Sequence, residues 1–334
     1  MKFAQSLIIL VLSVFAAEPT ARAQPKLDLL DGDRIVFVGS ALIEHEQQGG
    51  YIETMLVSRF PGKHLMFRNV GYSGDTVSGE ARGLCTGWST FETQEQGLNR
   101  LRKIVKEIRP TVLIVNYGMN ESFNGPAKLP DFISGLNMLL DMLTEDAKDS
   151  GAPGVRQVIL LSPNCHEDLG RPLPDPAEHN ANLKLYSDGI GELASKRGFT
   201  FVNLLSITEK LAKTEHLTSN GIHLTPTGYW RVAKALEEGL GFAPRAEGKM
   251  LPPPPMPGDA NQDANAGAAQ AEHLRQLIVA KNFDFFNYFR PENDSYILSF
   301  RKREQGKNAV ELPQFKPLAE EKDRQIAELS VPKA

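Results

Sequence analysis

The chain has 334 residues and a formal net charge of −4, with 37 basic and 41 acidic side chains mixed along its length. This balance offers no basic surface for nucleic acid or anionic lipid, so the expected partner is a small or neutral molecule. Two cysteines, Cys85 and Cys165, are too few for a disulfide framework, and their spacing cannot show whether they are bridged. Nothing in the composition fixes the oligomeric state.

The first residues have the pattern of an export signal. Lys2 supplies a positive start, an apolar run follows over residues 6–17, and Ala21-Arg22-Ala23 forms an A-x-A cleavage site. The run is too short to span a bilayer. We therefore expect residues 1–23 to be a signal peptide and the mature chain to be periplasmic or secreted, with no membrane span after cleavage. An uncleaved signal anchor is the alternative.

Apolar strands alternate with segments of helical period through the middle of the chain. Strands are predicted over residues 35–38, 65–70, 112–115, 158–161 and 201–204, and helices over 51–60, 95–108, 129–144, 177–197 and 225–240. Strands that are apolar on both faces and separated by helices predict a parallel, doubly wound α/β sheet. The polar loops after these strands then meet at one edge of the sheet, where ligands bind in such folds.

Composition changes abruptly beyond residue 242. Residues 243–270 include a polyproline run followed by an Ala/Asn/Gly-rich segment, which predicts an exposed linker without a core. Residues 271–334 are predicted to form a mainly helical extension. Its apolar side chains are too few for an independent core, so we expect it to pack against the first domain.

Candidate functional residues lie in the loops around the predicted sheet edge. The first strand ends in Gly39-Ser40-Ala41, the second is followed by Ser73-Gly74-Asp75-Thr76, and the third by Gly118-Met119-Asn120. A single histidine, His223, lies in a glycine-containing loop just before the last helix. An imidazole in such a loop is a candidate general base.

With these loops in this order, residues 31–242 resemble the SGNH (GDSL-like) hydrolase family, which includes exported esterases and carbohydrate deacetylases. The resemblance implies a flavodoxin-like three-layer sandwich with a central parallel sheet. It also implies that the Gly74 backbone N–H and the Asn120 side chain form an oxyanion hole, and that His223 is the base. The segment from Phe289 to Phe315 is similar to tails of an exported bacterial subgroup of this family.

Two positions depart from the family pattern. The family's first block is G-D-S with a nucleophilic serine, and without a gap Ser40 takes the place of the aspartate and Ala41 that of the nucleophile. A shift of one residue would make Ser40 the nucleophile instead. Asn220 replaces the aspartate that stands three residues before the family's histidine, and an amide stabilises an imidazolium less than a carboxylate does.

Several other polar and aromatic residues near the strand ends have simpler interpretations. Glu44, His45 and Glu46 are expected to form a solvated loop or a helix start, because side chains at adjacent positions are poor metal ligands. His166 follows the fourth strand, where loop packing is the simplest explanation, and His216 is expected at the surface. Trp88, Tyr117 and Phe123 could form a substrate wall or belong to the core.

The sequence therefore favours an exported ester hydrolase that uses neither metal nor cofactor and acts on a small-molecule or carbohydrate ester, as a carbohydrate acyl esterase would. The expected roles are Ser40 as nucleophile, His223 as base and Asn220 as the residue that orients it, with Gly74 and Asn120 as oxyanion donors. A degenerate hydrolase that binds a carbohydrate or acyl ligand without turnover is the alternative. A third hypothesis, that the chain is an interaction protein that acts through its tail, has less support.

Overall fold

The structure, a computed structural model, describes residues 27–84, 94–148, 153–243, 253–254, 266–291, 304 and 310–331. The predicted signal peptide, Cys85, Trp88 and most of the predicted linker lie outside these residues. No helix in the described part of the chain is long and apolar enough to cross a membrane.

Five parallel strands form one central sheet. They are β1 (Arg34–Gly39), β2 (Met66–Asn69), β3 (Val112–Asn116), β4 (Gln157–Leu161) and β5 (Thr200–Val202). Their order is β2-β1-β3-β4-β5, with β3 at the centre between β1 and β4. This is the flavodoxin-like order of a doubly wound sheet, so the predicted fold is confirmed.

Helices cover both faces of the sheet and complete the three layers. They are α1 (Ala41–Gly49), α2 (Tyr51–Val57), α3 (Glu80–Leu84), α4 (Gln94–Ile108), α5 (Leu129–Lys148), α6 (Ala177–Arg197), α7 (Leu204–Leu211), α8 (Pro226–Gly239), α9 (Ala266–Phe289) and α10 (Leu312–Leu329). Alternate residues of β1 separate into two apolar cores: Ile35 and Phe37 belong to one, Val36 and Val38 to the other. This alternation follows from the two-residue period of a strand.

Several element boundaries differ from the sequence prediction by a few residues, and the structure explains two features of these boundaries. The last strand ends at Val202, and Leu204 already begins α7, because the Asn203 side chain accepts a hydrogen bond from the Ser206 N–H and caps that helix. The charged run after β1 forms the nine-residue helix α1, which ends where Gly50 adopts a φ of 65°. Such a positive φ favours glycine at a helix end.

The two extension helices, α9 and α10, lie against the domain. Leu274 and Ile278 of α9 join the same apolar core as Ile35 and Phe37. Lys281 of α9 is fully buried and donates to the Glu53 carboxylate of α2. Asp323 of α10 pairs with Arg68 of β2 at 2.6 Å. Apolar and charged contacts thus both connect the extension to the domain.

Candidate functional site

A narrow cleft of about 30 Å³ lies at the carboxyl ends of the central strands. It brings together residues from loops that are far apart in sequence. The carboxyl ends of the strands are where ligands are expected to bind in this type of sheet. Among the side chains that line the cleft are those of Ser40, Ala41, His45, Asn120 and His223. Three of the five predicted site residues, Ser40, Asn120 and His223, therefore share one cavity.

Ser40 stands between β1 and α1 and is only 4% exposed. Its Oγ accepts a hydrogen bond from Asn120 Nδ2 at 2.8 Å. In the described part of the chain it makes no hydrogen bond to His223. The Ser40 hydroxyl therefore lies against the predicted oxyanion donor, and Ala41 lines the cleft beside it.

The Asn120 side chain is fixed by two acceptors. Its Nδ2 donates to Ser40 Oγ and to the Asp75 carbonyl oxygen, both at 2.8 Å. The Asp75 carboxylate is buried and accepts from Arg82 Nε at 2.6 Å and from the Tyr117 hydroxyl at 2.9 Å. Tyr117 is thus a core residue and not a substrate wall.

A buried glutamate joins the second and third loops. Glu121 accepts from the Val77 N–H through Oε1 and from the Gly118 N–H through Oε2, each at 2.9 Å. Burial raises the pKa of Glu121 to about 7. Because this carboxyl group holds both loops, the position of Asn120 depends on hydrogen bonds made by a residue outside the G-x-N block.

Gly74 lies on the exposed turn after β2, with a φ of 77°. The turn is closed by the Asp75 N–H, which donates to the Tyr72 carbonyl oxygen at 3.0 Å. Gly74 is not among the residues that line the cleft. Its role as an oxyanion donor stays a prediction.

Asn220 controls the proton position on His223. Its Oδ1 accepts from the backbone N–H groups of Ile222 at 3.2 Å and His223 at 2.9 Å, which fixes the orientation of the amide. Its Nδ2 then lies 3.2 Å from His223 Nδ1. Since an amide nitrogen only donates, Nδ1 must accept, and the neutral ring carries its proton on Nε2. The family's aspartate would impose the opposite tautomer.

His45 is a site residue that the sequence did not reveal. It lies four residues after Ala41 on α1, so both face the cleft. The rings of His45 and His223 meet edge to face, with centroids 5.1 Å apart. Burial, followed by the nearby His45 ring, lowers the pKa of His223. The signal that could have identified His45 is helical spacing from the first block.

Glu44 and Glu46 have separate environments on α1. Glu44 forms an ion pair with Arg290 at 2.8 Å, and its other oxygen accepts from the Ser73 N–H. Glu46 is 1% exposed, and its Oε1 accepts from the Ile52 N–H at 2.6 Å. Burial raises the pKa of Glu46 to about 8. The expectation of a solvated run is therefore wrong for Glu46, because α1 turns this side chain towards the start of α2.

The loop that carries His223 is held by hydrogen bonds to Glu167, which lies in the loop after β4. Glu167 is buried and accepts from the N–H groups of Leu217 at 3.1 Å and Thr218 at 2.8 Å. The exposed ring of His216 contacts the same carboxylate at 2.8 Å. His166 is buried against His179, with their Nδ1 atoms 3.0 Å apart. These side chains position loops and do not line the cleft.

The remaining aromatic candidate, Phe123, is 56% exposed and stacks on the His179 ring at 3.6 Å between centroids. No group of three or more His, Cys, Asp or Glu side chains within the described ranges has a metal-binding arrangement.

The fold, with the cleft at the carboxyl ends of its strands, is that of the SGNH hydrolase class. The model of the GDSL-like lipase/acylhydrolase family matches residues 32–231, and the chain belongs to this family. The comparison with curated proteins found no match.

Solved structures are similar to this chain at low sequence identity. BT4096, a gut microbial diltiazem-metabolizing enzyme, is 15% identical, with a TM-score of 0.61 over 93% of this chain and 98% of its own. A catalytic mutant of Axe2, an acetylxylan esterase from Geobacillus stearothermophilus, is 18% identical over 66% of this chain and 100% of its own, with a TM-score of 0.49. LAE5, an alpha/beta hydrolase enzyme from the metagenome of Lake Arreo, Spain, is 19% identical over 64% and 97%, with a TM-score of 0.47.

Proposed function

We propose that the protein is an ester hydrolase of low turnover that acts on small acyl groups of small-molecule or carbohydrate esters. The observation that carries this proposal is the meeting of Ser40, Asn120 and His223 in one cleft, with Asn120 Nδ2 2.8 Å from Ser40 Oγ. The narrowness of the cleft, about 30 Å³, favours a small acyl group. The export pattern of residues 1–23 supports action outside the cytoplasm.

In the proposed reaction, Ser40 Oγ attacks the acyl carbonyl carbon and His223 takes the hydroxyl proton. The carbonyl oxygen becomes negatively charged, and Asn120 Nδ2 donates to it. His223 then gives the proton to the departing alcohol, and water releases the acyl group by the same steps in reverse. No metal or cofactor is required for these steps.

The same geometry explains why turnover should be low. His223 must accept a proton on Nε2, but its contact with Asn220 Nδ2 favours the tautomer in which Nε2 is already protonated. The imidazolium, once formed, faces an amide instead of a carboxylate. In serine proteases, the change from Asp to Asn at the equivalent position lowers kcat by about 10⁴.

A second candidate is a protein that binds an acyl or carbohydrate ligand without cleaving it. The tautomer of His223 favours this candidate, as does the lack of a hydrogen bond between Ser40 and His223 within the described residues. Ala41, which takes the family's nucleophile position in the ungapped alignment, also favours it.

Hydrolysis of p-nitrophenyl acetate by the purified protein distinguishes the two candidates. We expect weak activity that falls to background in His223→Ala and in Ser40→Ala. The matched controls are His64→Ala and Ser195→Ala, which change exposed residues that do not line the cleft. Saturable binding of an acetylated monosaccharide without hydrolysis would favour the binding protein. Vigorous turnover that survives His223→Ala would contradict the site assignment.

A further inference from the structure

The extension contacts the candidate site through Arg290, the first residue after α9. Its Nη1 donates to Glu44 Oε1 on α1 at 2.8 Å. Its guanidinium carbon lies 3.4 Å from the centre of the Tyr72 ring, in the turn after β2. Both side chains of the ion pair are largely shielded, with exposures of 27% for Arg290 and 13% for Glu44. Arg290 thus contacts α1, which supplies Ala41 and His45 to the cleft, and also the turn after β2.

These two segments are themselves connected. The second oxygen of Glu44 accepts from the Ser73 N–H, and Tyr72 directly precedes Ser73. Ser73 Oγ lies 3.2 Å from His45 Nε2. The His45 ring then packs edge to face on His223. A continuous chain of contacts therefore leads from the extension to the candidate base.

We propose that Arg290 is a positioning residue for the candidate site, which fixes Glu44 and the turn at Tyr72 and Ser73 so that His45 is held against His223. Without the guanidinium, the Glu44 carboxylate loses its ion pair and the Tyr72 ring loses the cation that packs on it. His45 can then move away from His223. The inference rests on the proposed site but does not require turnover.

Other charged contacts of the extension serve a different purpose. Lys281 and Asp323 bond to Glu53 and Arg68, neither of which lines the cleft. Arg275 of α9 donates to the carbonyl oxygen of Gly49 at 2.7 Å; Gly49 is the last residue of α1, at the opposite end from Ala41. These contacts dock the helices. Arg290 differs because its carboxylate partner also bonds the turn that contacts His45.

The test is the titration of the His223 ring by NMR in the full chain. We expect Arg290→Ala to raise the His223 midpoint by roughly half a pH unit, because withdrawal of the His45 ring admits water and removes two causes that lower the pKa of His223. Ser73→Ala should give a similar shift, and the double variant should give no further shift, since both changes break one chain. Arg290→Lys should restore much of the wild-type value.

Arg275→Ala is the matched control, because it removes a guanidinium from the same extension. It should lower the melting temperature and leave the His223 midpoint unchanged. If Arg290→Ala does not fold, Glu44→Gln replaces it, since this variant loses the ion pair but keeps an acceptor for Ser73. An unchanged His223 midpoint in the folded Arg290 or Glu44 variant overturns the proposal. Absence of hydrolysis in all variants would count against the proposed function only, because the titration does not depend on turnover.

Discussion

The two halves of the candidate site differ in how firmly the fold holds them. The donor half comprises the loops after β2 and β3, where Asp75 and Glu121 are buried and each accepts at least two hydrogen bonds. The base half comprises Ser40, Asn220 and His223. There Asn220 is exposed and contacts the imidazole through a single 3.2 Å hydrogen bond.

The departures from the family pattern all fall in the base half. Asn120 keeps the family residue, whereas in the ungapped alignment Ser40-Ala41 stands where the family pattern has Asp-Ser, and Asn220 stands where it has Asp. A physical reason is that the donor half contributes to folding, because its buried carboxyl groups join separate loops. The nucleophile and the acid contribute little to stability, so they can change while the protein still folds.

The largest expected effect comes from breaking the donor half. Asp75→Ala leaves the Arg82 guanidinium buried without its carboxylate and should lower the free energy of unfolding by about 3–5 kcal/mol. Thermal and urea unfolding measure this loss. In the base half, Asn220→Ala should change the same quantity by less than about 1 kcal/mol, because its side chain is exposed. Equal losses in both variants would remove the contrast between the halves.

The next effect comes from repairing the base half. A triple variant that combines Ser40→Asp, Ala41→Ser and Asn220→Asp rebuilds the family residues. It should raise kcat on p-nitrophenyl acetate by about 100-fold, because a carboxylate fixes the productive tautomer of His223. Asn220→Asp alone should move the neutral proton to Nδ1, which ¹⁵N NMR detects.

Asn203→Asp is the control for this repair, since it makes the same chemical change at the cap of α7. Unchanged kcat in the repaired and soundly folded protein would argue against a degenerate triad.

A smaller effect concerns Glu46, beside the base half. Its folded pKa of about 8 lies above its ordinary value of 4.5 because of burial, so the unfolded chain loses the proton first as pH rises. The contribution of Glu46 to the free energy of unfolding is fully present below pH 4.5. It is lost as the pH rises from 4.5 to about 8. Glu46→Gln should therefore stabilise the protein by about 1–2 kcal/mol at pH 8 and by little at pH 4.

Melting curves at the two pH values check this prediction. Glu209→Gln, at an exposed position of α7, should show no such pH dependence. A benefit of Glu46→Gln that is equal at both pH values would show that the charge of Glu46 is not the cause.

The sequence alone determined the parallel sheet, the positions of its strands within a few residues, and the family. Apolar runs and glycine-rich loops are local signals, and strand ends in a parallel sheet necessarily meet at one edge. The presence of Ser40, Asn120 and His223 near that edge therefore followed from their places after β1 and β3 and before α8. Their chemical roles, and that of Gly74, remain predictions.

The tertiary structure decided what depends on contacts between distant segments. Helix α1 begins at Ala41 without a side-chain cap hydrogen bond, so no capping residue marked the start of the helix that turns His45 towards the cleft and Glu46 towards the interior. The proton position on His223 depends on how backbone N–H groups orient Asn220. The contact of Arg290 with Glu44 joins residues 246 positions apart. Such contacts arise only when the extension packs, because no sequence period relates the two positions.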